Sequence, residues 1–149
     1  MADTETVVSA LNRVLGDTYV LYAKTHSYHW NVTGANFSSL HTLFETQYTE
    51  MWQSLDDIAE RIRALGAYAP TSTRLMAEAS AIEETDNDVP SANTMLRNLV
   101  ADHKIWVQGA EDALEIASDA ADAGTEDLLT PLISAHEKMM WMLNSSIGD

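Results

Sequence analysis

Two pairs of side chains that commonly bind metals lie on one stretch of the chain, and the members of each pair are four residues apart. His41 and Glu45 form the first pair, and Asp56 and Glu60 form the second. Residues four apart on an α-helix lie on adjacent turns of one face, so each pair offers two ligands to a shared ion. The chain has no cysteine, which leaves His, Asp and Glu as metal ligands. Such ligands suit iron, manganese or zinc better than calcium.

The two pairs are too far apart along one helix to form a single centre. Glu45 and Asp56 are separated by 11 positions, a rise of roughly 16 Å along the helix axis. Each pair could serve a different centre, or an antiparallel copy of the helix in a two-fold dimer could bring the first pair to the second. His29 precedes a short turn that would place it beside His41. A solvated acidic face and a core histidine would explain the same pattern without a metal.

Helical periodicity supplies the elements that position these residues. Two long helices, over residues 5–32 and 37–65, are predicted from apolar rows that repeat every seven residues: Val7, Val14, Leu21 and Tyr28, then Phe37, Phe44, Met51 and Ile58. Between them, Gly34 suits a left-handed position after a helix end. Asn36 is expected to accept hydrogen bonds from the first N–H groups of the second helix.

The second half of the chain predicts three more helices. A short helix is expected from Ser72 or Thr73 to about residue 79, and Ser91 is a plausible N-cap for a third long helix. A fourth long helix is predicted from near 125 to 147, where Pro131 either lies in a first turn capped by Thr130 or kinks the helix. The inward positions of the last two helices are Leu96, Leu99, His103, Trp106, Ala110, Ala113 and Ala117, then Leu129, Leu132, Met140 and Leu143. The fold class is therefore all-α: a single domain over residues 1–149, built as a four-helix bundle with a short extra helix in its long second-to-third connection.

Composition limits the classes of function. The chain carries 23 Asp and Glu against 8 Lys and Arg, a net charge of −15. No stretch gathers cations into a basic patch, which argues against a dedicated DNA-binding surface. Attraction of cations and simple solubility both explain the acid. Without a long apolar run or a basic, apolar start, we expect a soluble, cytoplasmic protein with no membrane association.

A longer pattern around the candidate ligands is similar to that of a known family. It consists of HWNVTGANF from His29, Leu40-His41, Phe44-Glu45, and DDIAERI from Asp56. In residue type and spacing it resembles the signature of the Dps family, the DNA-binding proteins from starved cells. The Glu-x-x-His pairs of ferritin-type di-iron bundles do not occur in the sequence. Their absence argues against a buried di-iron site within one bundle.

The resemblance implies a ferritin-like fold and a specific activity. Subunits of this family form a hollow dodecamer with a ferroxidase centre at each two-fold interface. They oxidise Fe(II), preferably with hydrogen peroxide, and store ferric mineral, which protects against oxidative damage. The carried-over catalytic and metal-binding residues are His29, His41 and Glu45 from one subunit and Asp56 and Glu60 from its neighbour. Zinc or manganese would fit the same ligand types.

Other residues acquire expected roles from the same resemblance. Trp30 matches a family tryptophan near the centre, where it could intercept stray oxidising equivalents or simply anchor packing. The family's negatively charged three-fold pores occur near the third-to-fourth helix junction, where the candidate iron-entry residues are Asp119, Asp122, Glu126 and Asp127. We expect structural roles, in the core or at an interface, for Trp52, Trp106, Trp141, His103, His136 and His26, the last of which could lie near the metal.

The sequence departs from the family name with respect to DNA. Members that bind DNA through a tail use a Lys/Arg-rich extension, whereas the residues up to the start of the first predicted helix include Asp3 and Glu5. Together with the net charge, this predicts weak or absent DNA binding. The alternative function is a DNA-compacting or structural shell with little ferroxidase activity.

Overall fold

A computed structural model describes residues 3–148, and the described residues form five helices and no strand. The helices are α1 (Thr4–Asn31), α2 (Phe37–Ala64), α3 (Thr73–Ala79), α4 (Ala92–Asp119) and α5 (Ala123–Ser145). The four long helices form the bundle, and α3 lies in the connection between α2 and α4. The predicted order, including the short extra helix, is confirmed. Within the described part of the chain, no helix combines the length and apolar character needed to cross a membrane.

The bundle is built from two helical hairpins packed on each other. α1 packs against α2, α4 packs against α5, and α1 also contacts α4 and α3. The rows that repeat every seven residues point inward: Val7, Val14, Leu21 and Tyr28 are buried in α1, and Phe44, Met51 and Ile58 in α2. Phe37, at the start of α2, is 43% exposed. In α4 all seven predicted inward residues are buried, whereas in α5 Leu129 and Leu143 are buried and Leu132 and Met140 only half-buried.

Side-chain caps set the start of most helices. Asp3, Ser72, Ser91 and Asp122 each accept a hydrogen bond from a backbone N–H three residues later. The predicted cap at Asn36 is wrong, because this residue lies at the N-cap of α2 but its side chain makes no capping bond. The backbone of Asn36 has φ −106° and ψ 23°. The backbones of the capping residues Ser72 and Ser91 are instead extended, and from that conformation a side chain reaches the N–H groups of the first turn. Gly34 has the expected positive φ, 114°.

Pro131 lies inside α5 rather than in a first turn. The helix begins at Ala123, eight residues earlier, so the alternative of a first turn capped by Thr130 is wrong. The Thr130 hydroxyl instead donates to the Glu126 carbonyl one turn back, at 2.9 Å. Because proline lacks an N–H, α5 loses one internal hydrogen bond at this position.

Candidate metal centre

The turn between α1 and α2 brings two histidines into direct contact. His29 lies near the end of α1 and His41 in the second turn of α2, and their rings stack with centroids 3.7 Å apart and planes 13° apart. His29 is buried and His41 is half-buried. The predicted proximity of these two residues is therefore confirmed.

Each of these histidines fixes the orientation of the other. Nδ1 of His29 donates to the carbonyl oxygen of His41, and Nδ1 of His41 donates to the carbonyl oxygen of His29, both at 2.7 Å. Because a carbonyl oxygen only accepts, both rings carry a proton on Nδ1, which leaves Nε2 as the ring atom available to a metal. Over residues 3–148, neither Nε2 takes part in a hydrogen bond. This tautomer and this anchoring are typical of metal-binding imidazoles.

The three candidate carboxylates lie on the outer side of α2. Leu40, Phe44, Met51 and Ile58 face the core, while Glu45, Asp56 and Glu60 are exposed. Within the described residues, none of the three is in a hydrogen bond or an ion pair. They are therefore free to bind a cation.

One chain does not bring all five predicted residues together. The structure places His29 beside His41, with Glu45 one turn further along α2. Asp56 lies about three turns beyond Glu45, and Glu60 a turn beyond that. Among residues 3–148, no three His, Asp or Glu side chains of a single chain are grouped so that they could hold one metal ion.

Aromatic rings surround the two histidines. His26 stacks on Tyr48 with centroids 3.9 Å apart, and Trp30 packs against His26 at 4.3 Å. Tyr48 meets His29 edge-on at 5.2 Å. Burial, with a smaller contribution from His29, lowers the pKa of His26, and burial followed by the charge of Glu45 raises the pKa of Tyr48. Both side chains are therefore neutral near pH 7.

At the acidic junction between α4 and α5, the carboxylate of Asp122 is bound by other residues of the chain. Asp122 accepts hydrogen bonds from the backbone and hydroxyl of Thr125 and from the Arg61 guanidinium, the last at 2.6 Å. Burial alone would raise the pKa of Asp122, but Thr125 and Arg61 together hold it below its usual value. Asp119 and Asp127 are exposed and Glu126 is half-buried. Asp122 thus has an internal role that its spacing did not indicate.

A second histidine pair lies in the core, away from these residues in sequence. Nδ1 of His103 in α4 and Nδ1 of His136 in α5 are 3.0 Å apart, and Trp106 stacks on His136 at 3.4 Å. Burial lowers the pKa of His103 to about 3, and burial together with His103 lowers that of His136. The expected structural role of each is consistent with this burial, but their pairing was missed. Their positions in the apolar rows of two helices were the only available signal.

The remaining tryptophans are divided between core and surface. Trp106 is buried, whereas Trp30 and Trp141 are each 64% exposed and Trp52 is 58% exposed in the single chain. Trp52 shares the outer side of α2 with Glu45 and Asp56. In the single chain, the ring of Trp52 therefore leaves an apolar surface in water beside the candidate ligands of α2.

Comparisons with known proteins agree with this fold. A family model for the ferritin-like domain matches residues 8–149. An uncharacterised low temperature-induced protein of Nostoc is 42% identical over 142 residues, which cover 95% of this chain and 79% of that protein. The fold therefore defines a ferritin-like protein.

Solved structures give the narrower assignment. Dps from Staphylococcus aureus has a TM-score of 0.94 and 34% identity, and the match covers 100% of this chain and 99% of that one. A Vibrio cholerae Dps, described as a member of a broad superfamily of ferritin-like diiron-carboxylate proteins, has a TM-score of 0.91 and 32% identity over 99% of this chain and 98% of that one. The chain belongs to the Dps family, as the sequence signature indicated.

Proposed function

We propose that this protein is a ferroxidase that binds Fe(II), its substrate, between two copies of the chain and oxidises it with hydrogen peroxide. The ferric product is stored inside a dodecameric cage in the cytoplasm. Membership of the Dps family supports iron storage in general, and so does the description of the Vibrio cholerae relative as a diiron-carboxylate protein. The site residues are His29, His41 and Glu45 of one subunit with Asp56 and Glu60 of the other.

The observation that carries the proposal is the reciprocal hydrogen bonding of His29 and His41. It leaves Nε2 of both rings without a backbone partner, and Glu45, whose carboxylate is exposed, follows His41 by one turn of α2. Two histidines that served only packing would not need the same tautomer. Two imidazoles with a carboxylate form a ligand set that suits Fe(II).

The spacing on α2 supports a two-fold dimer as the source of the other ligands. The midpoint of His41 and Glu60 and the midpoint of Glu45 and Asp56 both fall between Glu50 and Met51. An antiparallel copy of α2 centred at that point would set each residue of one pair opposite its counterpart in the other chain. A two-fold axis makes both sites equivalent.

Exposure on α2 supports the same contact surface. The outer side that carries the ligands also carries Trp52, next to the proposed axis and 58% exposed in the single chain. Covering this ring with a second copy would remove a large apolar surface from water. Assembly would then complete the metal site and bury the tryptophan in one step.

The ligand chemistry suits iron oxidation. Two Fe(II) ions give one electron each to hydrogen peroxide, the O–O bond breaks, and two protons complete two water molecules. Few protein ligands per iron leave positions for peroxide, and the carboxylates offset the charge that each iron gains. Zinc would bind the same ligands but has no redox chemistry, so it would occupy the site without turnover; manganese suits the same ligand types.

Net charge supports cation uptake more than DNA binding. The chain carries −15, and the acids left at the α4–α5 junction, Asp119, Glu126 and Asp127, would focus cations if three copies met there. Asp122, which is bound to Thr125 and Arg61, would stabilise the structure around the entry and would not line it. The same charge repels DNA phosphates, so we propose weak or absent DNA binding at physiological salt.

The test is anaerobic loading of the purified oligomer with Fe(II), measurement of its mass, and addition of hydrogen peroxide while ferric absorbance is followed. We expect rapid oxidation with iron retained in a particle of twelve 16.4 kDa chains. Asp56→Asn should lose most of the rapid phase, and the matched Asp57→Asn variant, one residue away and also exposed, should retain it. Slow oxidation with iron precipitated outside the protein, or equal rates in both variants, would contradict the proposal.

A further inference from the structure

Four neighbouring aromatic rings form a continuous series that begins at a tyrosine of α1 and ends at His29, one of the proposed metal ligands. We call Tyr22, His26, Tyr48 and His29 the aromatic ladder. Tyr22 lies 6.1 Å from Tyr48 and 5.6 Å from His26, His26 stacks on Tyr48 at 3.9 Å, and Tyr48 meets His29 at 5.2 Å, all between ring centroids. Electrons move readily between aromatic rings at such separations, so the ladder is a path to the site.

Tyr22 differs from the other tyrosines of the described chain in the partner of its hydroxyl. Its oxygen lies 3.1 Å from Nδ1 of His26. By contrast, the Tyr28 hydroxyl accepts a hydrogen bond from Asn98, and Tyr68 packs its ring over Arg63 at the surface. Within residues 3–148, Tyr22 is the tyrosine whose hydroxyl meets a basic ring nitrogen.

This hydrogen bond matters because a phenol becomes a very strong acid when it loses an electron. Oxidation of tyrosine is therefore easy only where a base can take the hydroxyl proton at the same time. A heavy-atom distance of 3.1 Å is within reach for direct proton transfer. His26 is also a ladder ring, so the proton acceptor lies on the path of the electron.

We propose that Tyr22, with His26 as its proton acceptor, is an internal one-electron donor to the metal site. The inference rests on the proposed function and addresses the case in which a site holds one Fe(II) instead of two. Hydrogen peroxide needs two electrons to form water, and a single Fe(II) provides one. Without a second donor, the O–O bond would break to release a hydroxyl radical.

The reaction balances when Tyr22 gives the second electron. One Fe(II) and Tyr22 are each oxidised by one electron, and one hydrogen peroxide is reduced, with cleavage of its O–O bond. Two protons from solvent complete two water molecules, while the Tyr22 hydroxyl proton moves to Nδ1 of His26. The products are Fe(III), a neutral Tyr22 radical, protonated His26 and water.

Trp30 is a weaker candidate for this role on the same evidence. It also packs on His26, with ring centroids 4.3 Å apart, but it is 64% exposed. In the described residues its indole N–H has no protein partner to take a proton. A radical there would face solvent, whereas Tyr22 is half-buried and paired.

The first experiment uses the assembled full chain with less than one Fe(II) per site, loaded without oxygen. Hydrogen peroxide is added, samples are frozen rapidly for electron paramagnetic resonance, and a spin trap reports hydroxyl radical. We expect a tyrosyl signal with little spin adduct in the wild-type protein. Tyr22→Phe, which keeps the ring, should lose most of that signal and form more adduct. Tyr68→Phe, the matched surface control, should match the wild type.

A second variant and an iron-free measurement separate this inference from the proposed function. His26→Phe keeps a ring against Tyr48 but removes the proton acceptor, so it should also lose the tyrosyl signal. In iron-free protein, one-electron oxidation by azide radicals should give a long-lived tyrosyl radical that depends on Tyr22 and His26 and not on Tyr68.

The outcomes are distinct. Equal tyrosyl signals in the wild type and Tyr22→Phe, alongside normal ferric product, would overturn the role of Tyr22 and leave the ferroxidase proposal intact. No ferric product in any variant, with a Tyr22-dependent radical only in the iron-free protein, would overturn both the ferroxidase proposal and the donation from Tyr22 to the site. Loss of signal in Tyr22→Phe and His26→Phe alone would support the inference.

Discussion

His29 and His41 each donate a hydrogen bond from Nδ1 to the backbone carbonyl of the other, at 2.7 Å in both directions. The exchange ties the last turn of α1 to the second turn of α2 and holds the stacked rings in a single tautomer. Because Nδ1 of each ring is used in this exchange, Nε2 is the ring atom that remains available to a metal. The short turn at residues 32–36 is what allows two residues 12 apart in sequence to pair in this way.

Glu45 is predicted to be a ligand and not a contributor to stability. Its carboxylate is exposed and has no protein partner within residues 3–148, so Glu45→Gln should change the free energy of unfolding by no more than about 0.5 kcal/mol. Anaerobic calorimetry should show Fe(II) binding weakened by at least about tenfold. Asp57→Asn, which also removes an exposed carboxylate of α2, is the control and should bind Fe(II) normally. Equal binding by the two variants would exclude Glu45 from the site.

Asp122 is predicted to stabilise the junction of α2 and α5 in a pH-dependent way. Asp122→Ala removes both a cap and the partner of Arg61, and should cost about 1–2 kcal/mol. Asn also caps helices, so Asp122→Asn should cost less and isolate the ion pair. Urea unfolding at a series of pH values measures both.

The direction of the pH effect follows from the lowered pKa of Asp122. A carboxyl whose pKa is lower in the folded than in the unfolded chain stabilises the fold above its unfolded value of 3.8. That stability is lost as the pH falls through the folded pKa. The difference between wild type and Asp122→Asn should therefore be largest near neutrality and shrink in acid. A difference that grows in acid would contradict the ion pair with Arg61.

The buried pair His103 and His136 predicts sensitivity to acid. Burial holds the folded pKa of both below the usual 6.5, so the unfolded chain gains protons first as the pH falls. The fold therefore has its full stability, as far as this pair is concerned, above pH 6.5, and it loses stability as the pH falls below 6.5. For His103 this loss continues down to its folded pKa of about 3. Unfolding from pH 7 to pH 4 should show a flatter profile in a His103→Leu, His136→Leu variant than in the wild type. An identical slope would mean that the pair is not neutral in the fold.

The sequence predicted those parts of the structure that depend on local pattern. Rows of apolar residues every seven positions located α1 and α2, and Ser91 marked the start of α4 because capping acts over three residues. The pairing of His29 and His41 followed from a short turn between two helices. The family signature added the ligand assignment and the expectation of a second chain, which residue types alone left open.

Other features depended on contacts that the sequence does not encode locally. Arg61 and Asp122 are 61 positions apart. The acidic stretch at the α4–α5 junction therefore gave no sign that Asp122 would form an ion pair with an arginine of α2. His103 and His136 meet because α4 and α5 form a hairpin. Asn36 has the residue type of a cap, but the tight turn after Gly34 sets its backbone in a conformation from which the side chain does not cap. Pro131 lies inside α5 because a long helix packed on its neighbours tolerates the loss of one hydrogen bond.

The most direct test of the shared site is to mix two inactive variants. His41→Phe/Glu45→Gln breaks one half of the site, and Asp56→Asn/Glu60→Gln breaks the other, so oligomers of either variant alone should lose rapid peroxide-dependent Fe(II) oxidation. In a mixed two-fold pair, one site recovers all five of its ligands, and the other keeps only His29. Random co-assembly should therefore restore about a quarter of the wild-type activity. Mixed oligomers of normal mass that remain as inactive as their parents would contradict a centre built from two chains.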